Sequence, residues 1–246
     1  MSELLLTIGH LYPDLLNLYG DWGNMIALKK RCEWRGIGFD IKSYELNDTI
    51  DFDELDIVFL GGGSDREQKI VCDRLRAIKE DFSRYVENDG VTVAVCGGYQ
   101  LLGHHYRLGE ELIEGLSLLD IVTESGSPRL IGNVVVEFRD GDNQFDIVGF
   151  ENHGGRTFIS NHTPLGRVKH GFGNNGNDMT EGVHYKNVIG TYLHGPLFPK
   201  NPQLADFVLT NALQKKYGDR FDGLTALDDG LENKARDMVM GRFGKG

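Results

Sequence analysis

Val91-Thr92-Val93-Ala94-Val95-Cys96-Gly97-Gly98-Tyr99-Gln100-Leu101-Leu102-Gly103 carries five strand-forming residues into a cysteine, then two glycines and a helical pattern. A short, β-branched run that is closed by glycine reads as a strand buried on both faces, the kind found inside a parallel sheet. Gly97 and Gly98 predict a sharp strand-to-helix turn that lifts the Cys96 side chain out of the sheet. The sulfur then lies at a helix N-terminus, where unpaired N–H groups and the helix dipole favour a thiolate. A lone cysteine is otherwise most often an inert small hydrophobe of a core. The strand before Cys96 and the glycines after it make it a candidate nucleophile instead.

To either side of this stretch, strand and helix patterns alternate. Strands are expected at 4–8, 39–46 and 56–60, the last ending in Gly61-Gly62-Gly63, and a helix at 24–35. Ile70, Val71, Leu75, Ile78, Phe82 and Val86 recur at helical spacing and predict one helix over 66–86, with another running from the cysteine to about residue 108. Such alternation predicts an α/β fold with an open, mostly parallel sheet and helices on both faces, in which reactive groups gather at the carboxyl ends of strands. Beyond residue 116 the texture becomes strand-rich, at 121–124, 130–138, 145–150, 167–172 and 188–193, and reads as an extension of the same sheet. Gly171 to Asp178 is a polar, glycine-rich loop and a candidate lid. Helices over 203–217 and 224–240 are expected to pack back on the sheet. No repeat or low-complexity linker divides the chain, so a single domain over 1–246 is expected, with its core at about 4–215.

Composition removes several classes of function. Thirty-seven acidic against 26 basic residues give a net charge of −11, the wrong sign for a general nucleic-acid surface. Cys32, Cys72 and Cys96 are odd in number and lack metal-ligand spacing, so neither a disulfide framework nor a metal site is expected, and a reducing cytoplasm fits. The first residues lack the pattern of a secretion signal, and no run of about 18 apolar residues predicts a membrane span.

A cysteine nucleophile needs a base, and imidazole suits because its pKa lies near working pH. Of eight histidines, His194 stands out in Val188-Ile-Gly-Thr-Tyr-Leu-His194-Gly195-Pro196, where an apolar strand ends, at the same carboxyl edge as Cys96. The other histidines have no comparable context. Acyl transfer also needs N–H donors for an oxyanion, and glycine turns offer them without bulk: Gly97 directly after the nucleophile, Gly62 and Gly63 at the neighbouring strand end. The triple glycine lacks the lysine and spacing of a nucleotide phosphate loop.

Phe59-Leu-Gly-Gly-Gly-Ser64, Cys96-Gly-Gly-Tyr-Gln100 and Tyr192-Leu-His194-Gly195 together resemble the class I glutamine amidotransferases, which have a flavodoxin-like sheet. Gly149-Phe-Glu151-Asn-His153-Gly-Gly155-Arg156 is similar to a segment of the cobyric acid synthase type. Within that type, Leu18 to Asn24, Gly61 to Gln68 and Glu181 to Asn187 point to the branch of glutaminase subunits that serve lipid II amidation beside a Mur-ligase-like synthetase. The resemblance implies that Cys96 attacks the side-chain amide of L-glutamine, that His194 shuttles the proton, and that Arg129 in Pro128-Arg129-Leu130 binds the substrate. It implies a heterodimer with a partner that carries ATP and Mg and has lipid II, itself membrane-anchored, as acceptor; this chain would hold no cofactor. Where many class I enzymes place an acidic residue two positions after the histidine, this chain has Pro196. The group that orients His194 could then be a backbone carbonyl, Glu151 or a residue of the partner. Gln100, Glu151 and His153 are secondary candidates, the last two as structural support of the pocket. A free-standing cysteine hydrolase, an amidotransferase for another carboxylate such as a cobyrinate, and a noncatalytic subunit are the competing readings.

Overall fold

The computed structural model describes residues 4–18 and 20–241, with the side chain of Leu108 left undescribed. The first half alternates β1 (Leu5–Leu11), α1 (Trp22–Glu33), β2 (Gly38–Tyr44), β3 (Ile57–Leu60), α2 (Asp65–Ala77), α3 (Lys79–Glu87), β4 (Val91–Val95) and α4 (Gly97–Leu101). Then come β5 (His105–Leu108), β6 (Glu111–Glu114), β7 (Ile121–Asp140), β8 (Asn143–Ile159), β9 (Gly166–His170), β10 (Thr180–Glu181), β11 (Val183–Tyr185) and β12 (Val188–Thr191). Helices α5 (Pro202–Tyr217) and α6 (Gly230–Met240) close the described chain.

The main sheet has the order β11-β12-β4-β3-β1-β2, parallel throughout except for β11. This is the flavodoxin-like order, with β12 as fifth parallel strand. Every residue of β3, β4 and β12 is buried, which is why these segments are nearly continuous apolar runs, with only Thr92 and Thr191 polar. Leu60 pairs with Ala94 and Val95 with Thr191, so Gly61, Cys96 and Tyr192 leave three adjacent strands side by side at one carboxyl edge.

The strand-rich half differs from expectation. Only β11 and β12 extend the main sheet; β5 to β10 form a second, largely antiparallel sheet built around the long β7–β8 hairpin. Alternating burial along β8 gives the reason: it has one face on the core and one in solvent, unlike the buried strands of the first sheet. The segments read as separate strands at 121–124 and 130–138 are one strand whose register with β8 shifts between Ser125 and Leu130. The helix predicted over 66–86 breaks at Ile78, whose ψ of 14° leaves the helical region. The helix after Cys96 lasts only five residues before the chain enters the second sheet. Helix α6 buries none of its residues, so it lies on the surface, tied by the Arg31–Asp229 ion pair at 2.6 Å.

Candidate active site

Cys96 has φ +52° and ψ −108°, a left-handed conformation unusual for a residue with a side chain. The turn's strain therefore resides in the cysteine itself, whereas Gly97 and Gly98 have ordinary φ and serve a different need. A Cβ on Gly98 would lie 2.6 Å from the Leu60 carbonyl, and one on Gly97 would lie 2.2 Å from Nε2 of Gln68. Those contacts let α4 settle directly on the end of β3, where the Gly98 N–H donates to the Gly61 carbonyl at 3.1 Å. The Cys96 N–H donates to the Thr191 carbonyl at 2.8 Å, which fixes the elbow against β12. Strain of this kind, on the order of 1–3 kcal/mol, persists only where the surroundings over-determine it.

Cys96 opens on a polar cavity of about 440 Å³, whose wall includes Gly63, Gln68, Gln100, Arg129, Asn152 and His153. Arg129 reaches it because the register shift in β7 leaves residues 126–129 outside the ladder. Its Nε and Nη2 donate to the Asn152 side chain at 3.1 Å and backbone carbonyl at 2.9 Å, and its Nη1 has no partner among the described residues. A guanidinium braced on one edge in this way can grip a carboxylate with the other.

The glycine turn divides its labour. Gly62 donates its N–H to Oδ2 of buried Asp21 at 3.1 Å, so that amide is committed and Gly62 is not placed to serve an oxyanion. Gly63 lies on the cavity wall, with its carbonyl accepting from Gln68 Nε2 at 3.0 Å. The Gly97 amide interacts with the Cys96 sulfur and holds the thiol's pKa down. That pull is overcome: burial, reinforced by the nearby Asp21 carboxylate, pushes the thiol up to about 12. The thiolate expected from a helix N-terminus is thus disfavoured at rest, because a five-residue helix offers little dipole against the burial of the sulfur.

His194 is 1% exposed and bridges to β8, its N–H donating to the Phe150 carbonyl at 3.0 Å. Burial, with added repulsion from His153, Lys200 and Arg129, lowers its pKa to about 4. Among the described residues His153, rather than His194, forms part of the cavity wall. His153 Nδ1 pairs with the Gly155 carbonyl at 2.8 Å, and its ring stacks on Tyr192 with centroids 3.6 Å apart. Glu151 does not face the cavity. Its carboxylate accepts the N–H groups of Phe172 at 2.7 Å and Gly173 at 2.9 Å, with His153 Nε2 at 3.7 Å. It anchors the 171–178 loop, which buried Asn174 and Asn175 also pin, the latter to the Thr157 carbonyl at 3.1 Å. A loop tied at so many points is held in place, and none of its residues belongs to the wall of the Cys96 cavity.

Gln100 lines the cavity and donates to the Tyr192 hydroxyl at 3.0 Å. Asp21, Gln68, Glu181 and Tyr192 were not singled out in the sequence. All four lie inside the stretches that carry the family resemblance, which is the available signal; Asp21 and Tyr192 act through partners 35 or more residues away, Gln68 and Glu181 through nearer ones.

A thiol on a strained elbow, a neighbouring strand end with a histidine, two glycine amides and a braced arginine together suit acyl transfer from a small amide that bears a carboxylate. Similarity to known proteins agrees. The model of the CobB/CobQ-like glutamine amidotransferase domain matches residues 7–202. Subunit GatD of the glutamine-hydrolyzing lipid II isoglutaminyl synthase of Staphylococcus aureus (strain N315) is 45% identical over 239 residues, 96% of each chain. The corresponding subunit of Streptococcus pneumoniae (strain ATCC BAA-255 / R6) is 46% identical over 216 residues, 87% of this chain and 82% of that one. Among solved structures, the glutaminase domain of Trypanosoma brucei CTPS with bound acivicin superposes with a TM-score of 0.53 at 13% identity, over 89% of this chain and 98% of that one, a likeness of fold alone.

Proposed function

The chain belongs to the CobB/CobQ-like glutamine amidotransferases, and from that premise we propose that it is the glutaminase subunit of a lipid II amidating complex. The observation that carries the chemistry is the strained Cys96 elbow, which opens on a polar cavity with Arg129 in its wall. Arg129 holds the α-carboxylate of L-glutamine, and Sγ of Cys96 attacks the side-chain carbonyl carbon. The thiol proton passes to His194 and then to the leaving nitrogen, so ammonia departs and a γ-glutamyl thioester remains. The N–H groups of Gly63 and Gly97 receive the oxyanion, Gly62 being held by Asp21. Water then attacks the thioester, returns the proton to sulfur and frees glutamate.

Ammonia needs an acceptor activated elsewhere. We assign that step to a Mur-ligase-like subunit that uses ATP and Mg to activate the α-carboxyl of D-glutamate in the lipid II stem, giving D-isoglutamine. The match over nearly the whole of both chains to a subunit that serves this synthase supports the assignment. On this assignment the protein works in the cytoplasm beside the membrane that carries lipid II; no helix among the described residues is long and apolar enough to cross a membrane. The test is the complex with Cys96→Ala: glutamine hydrolysis is lost while amidation driven by ammonium salts persists. Glutamate release at the wild-type rate would show that Cys96 is not the nucleophile. Full glutaminase activity in the absence of any partner would favour a free-standing hydrolase.

A further inference from the structure

The turn that carries Cys96 and the strand end that carries His194 must hold one register, yet they come from segments 98 residues apart. A buried hydrogen-bond chain joins them. Gln100 Nε2, one turn past the nucleophile, donates to the Tyr192 hydroxyl at 3.0 Å. The Tyr192 hydroxyl also shares a hydrogen bond with Thr157 Oγ1 at 2.6 Å, and Thr157 Oγ1 shares one with Thr123 Oγ1 at 2.7 Å. Tyr192 and both threonines are at most 1% exposed, so no water competes for these groups. The Tyr192 ring also carries His153 flat on its face.

The backbone of the same residue is fixed separately. Buried Glu181 accepts the Tyr192 N–H at 2.7 Å and the Thr191 hydroxyl at 3.1 Å, and the Thr191 hydroxyl accepts the Leu193 N–H at 3.0 Å. Three consecutive residues leading to His194 are thereby set by two side chains, Glu181 and Thr191. Space is reserved for the assembly as well. A Cβ on Gly155 would lie 2.5 Å from Gln100 Nε2 and 2.9 Å from the Tyr192 hydroxyl, with no left-handed φ to demand glycine there.

We propose that Tyr192 is a positioning residue that registers the nucleophile's turn against the His194 strand end through Gln100, Thr157 and His153, with Glu181 fixing its backbone. This rests on the assignment of Cys96 and His194 given above. Among the described residues Tyr192 makes no hydrogen bond to the reacting sulfur or to the Arg129 that would hold the substrate's carboxylate. Its loss should therefore act on the rate of the chemical step more than on binding. A misplacement of about 1 Å costs about 100-fold in favourable geometries, so a loss of about 10- to 100-fold is expected.

The experiment compares Cys96→Ala, Tyr192→Phe, Gly155→Ala, Glu181→Ala and Glu181→Gln in the full chain with its synthetase subunit. It reads kcat and KM for glutamine, the rate of Cys96 labelling by diazo-oxo-norleucine, and the thermal midpoint. Expected are a kcat for Tyr192→Phe about 10- to 100-fold down with KM within about threefold, labelling slowed in proportion, and a midpoint near the wild type. Gly155→Ala should show the same split, which keeps the test open if Tyr192→Phe fails to fold. Glu181→Gln, which keeps an acceptor for the Tyr192 N–H, should recover most of the rate lost in Glu181→Ala. Wild-type kcat in folded Tyr192→Phe, or a raised KM at unchanged kcat, overturns the proposal. If Cys96→Ala itself turns over, the nucleophile assignment has failed instead.

Discussion

The sharpest consequence of the geometry concerns the charge of the resting site. Burial and the Asp21 carboxylate push the Cys96 thiol from an ordinary 9.0 up to about 12, and burial takes His194 from 6.5 down to about 4. Both partners are then neutral at physiological pH. At pH 7.5 a thiol of ordinary pKa is about 3% thiolate, whereas one near 12 is about one part in 30,000, a deficit of roughly a thousandfold. The more basic sulfur is the better nucleophile, which returns about 20-fold at a Brønsted coefficient of about 0.45. Alkylation by iodoacetamide should accordingly run about 50-fold slower at Cys96 than at an exposed thiol on charge grounds alone, before any steric hindrance. The assay is timed alkylation of the full chain from pH 7 to 10, quenched and mapped by peptide mass spectrometry. The logarithm of the rate at Cys96 should climb with a slope near one and reach no plateau. Cys32 and Cys72, also buried and raised to about 12 and about 11, report slower labelling where no cavity gives access. A plateau with its midpoint between pH 5 and 8 would refute the reasoning, because it would reveal a thiolate–imidazolium pair already formed at rest.

Three further outcomes follow from neighbouring groups. Asp21→Asn removes the charge that raises the Cys96 thiol while keeping an acceptor for the Gly62 N–H, so alkylation at fixed pH should quicken severalfold; an unchanged rate would separate Asp21 from the sulfur. Gly98→Ala places a methyl 2.6 Å from the Leu60 carbonyl and 2.8 Å from that of Gly61, and backbone cannot yield as a side chain can. A stability loss of about 1–3 kcal/mol is expected by urea unfolding, together with lost glutaminase activity; wild-type values for both would contradict the close packing of α4 on β3. Glu181 is raised from 4.5 to about 8 by burial. Its unfolded form ionises near 4.5 and its folded form near 8, so its contribution is whole below 4.5 and is lost as pH rises through 8. Glu181→Gln has no proton to lose and should gain on the wild type by about 1.4 kcal/mol per pH unit across that window, then level off. A difference in unfolding free energy that is the same at pH 5 and pH 8 would show that Glu181 is already ionised in the folded chain.

The first sheet was legible because its central strands β3, β4 and β12 are buried throughout and so read as nearly continuous apolar runs closed by turn signals. The second sheet was harder to read. Alternation along β8 identifies a strand with a solvent face but carries no mark of which sheet it joins, and that choice is made by the long hairpin with β7. Cys96, His194 and Arg129 were recognisable from local pattern and resemblance, each lying at a strand end or beside a proline. Gly62 shows the limit of that approach. Its amide is the right type at the right turn, yet Asp21, 41 residues earlier, takes the hydrogen bond. A donor's availability depends on what faces it, and nothing in a glycine run encodes its neighbour across the fold. Glu151 is similar: its partners, the amides of residues 172 and 173, become visible only when the loop is seen to fold back over β8.

The opposed shifts at Cys96 and His194 also constrain how the reaction can proceed. Moving a proton from a raised thiol to a lowered imidazole is uphill, so a separate first step is disfavoured. Pairing Arg129 with a carboxylate does not remove the difficulty. Its positive charge holds both pKa values down, so neutralising it would make His194 a better base and Cys96 a weaker acid together. Under the proposed mechanism, coupling proton transfer to attack avoids that separate step, and the Gly63 and Gly97 amides receive the charge as it reaches the carbonyl oxygen. Such a site is quiet without a bound amide. For a glutamine-hydrolysing enzyme that has a physical advantage, because a neutral thiol resists oxidation.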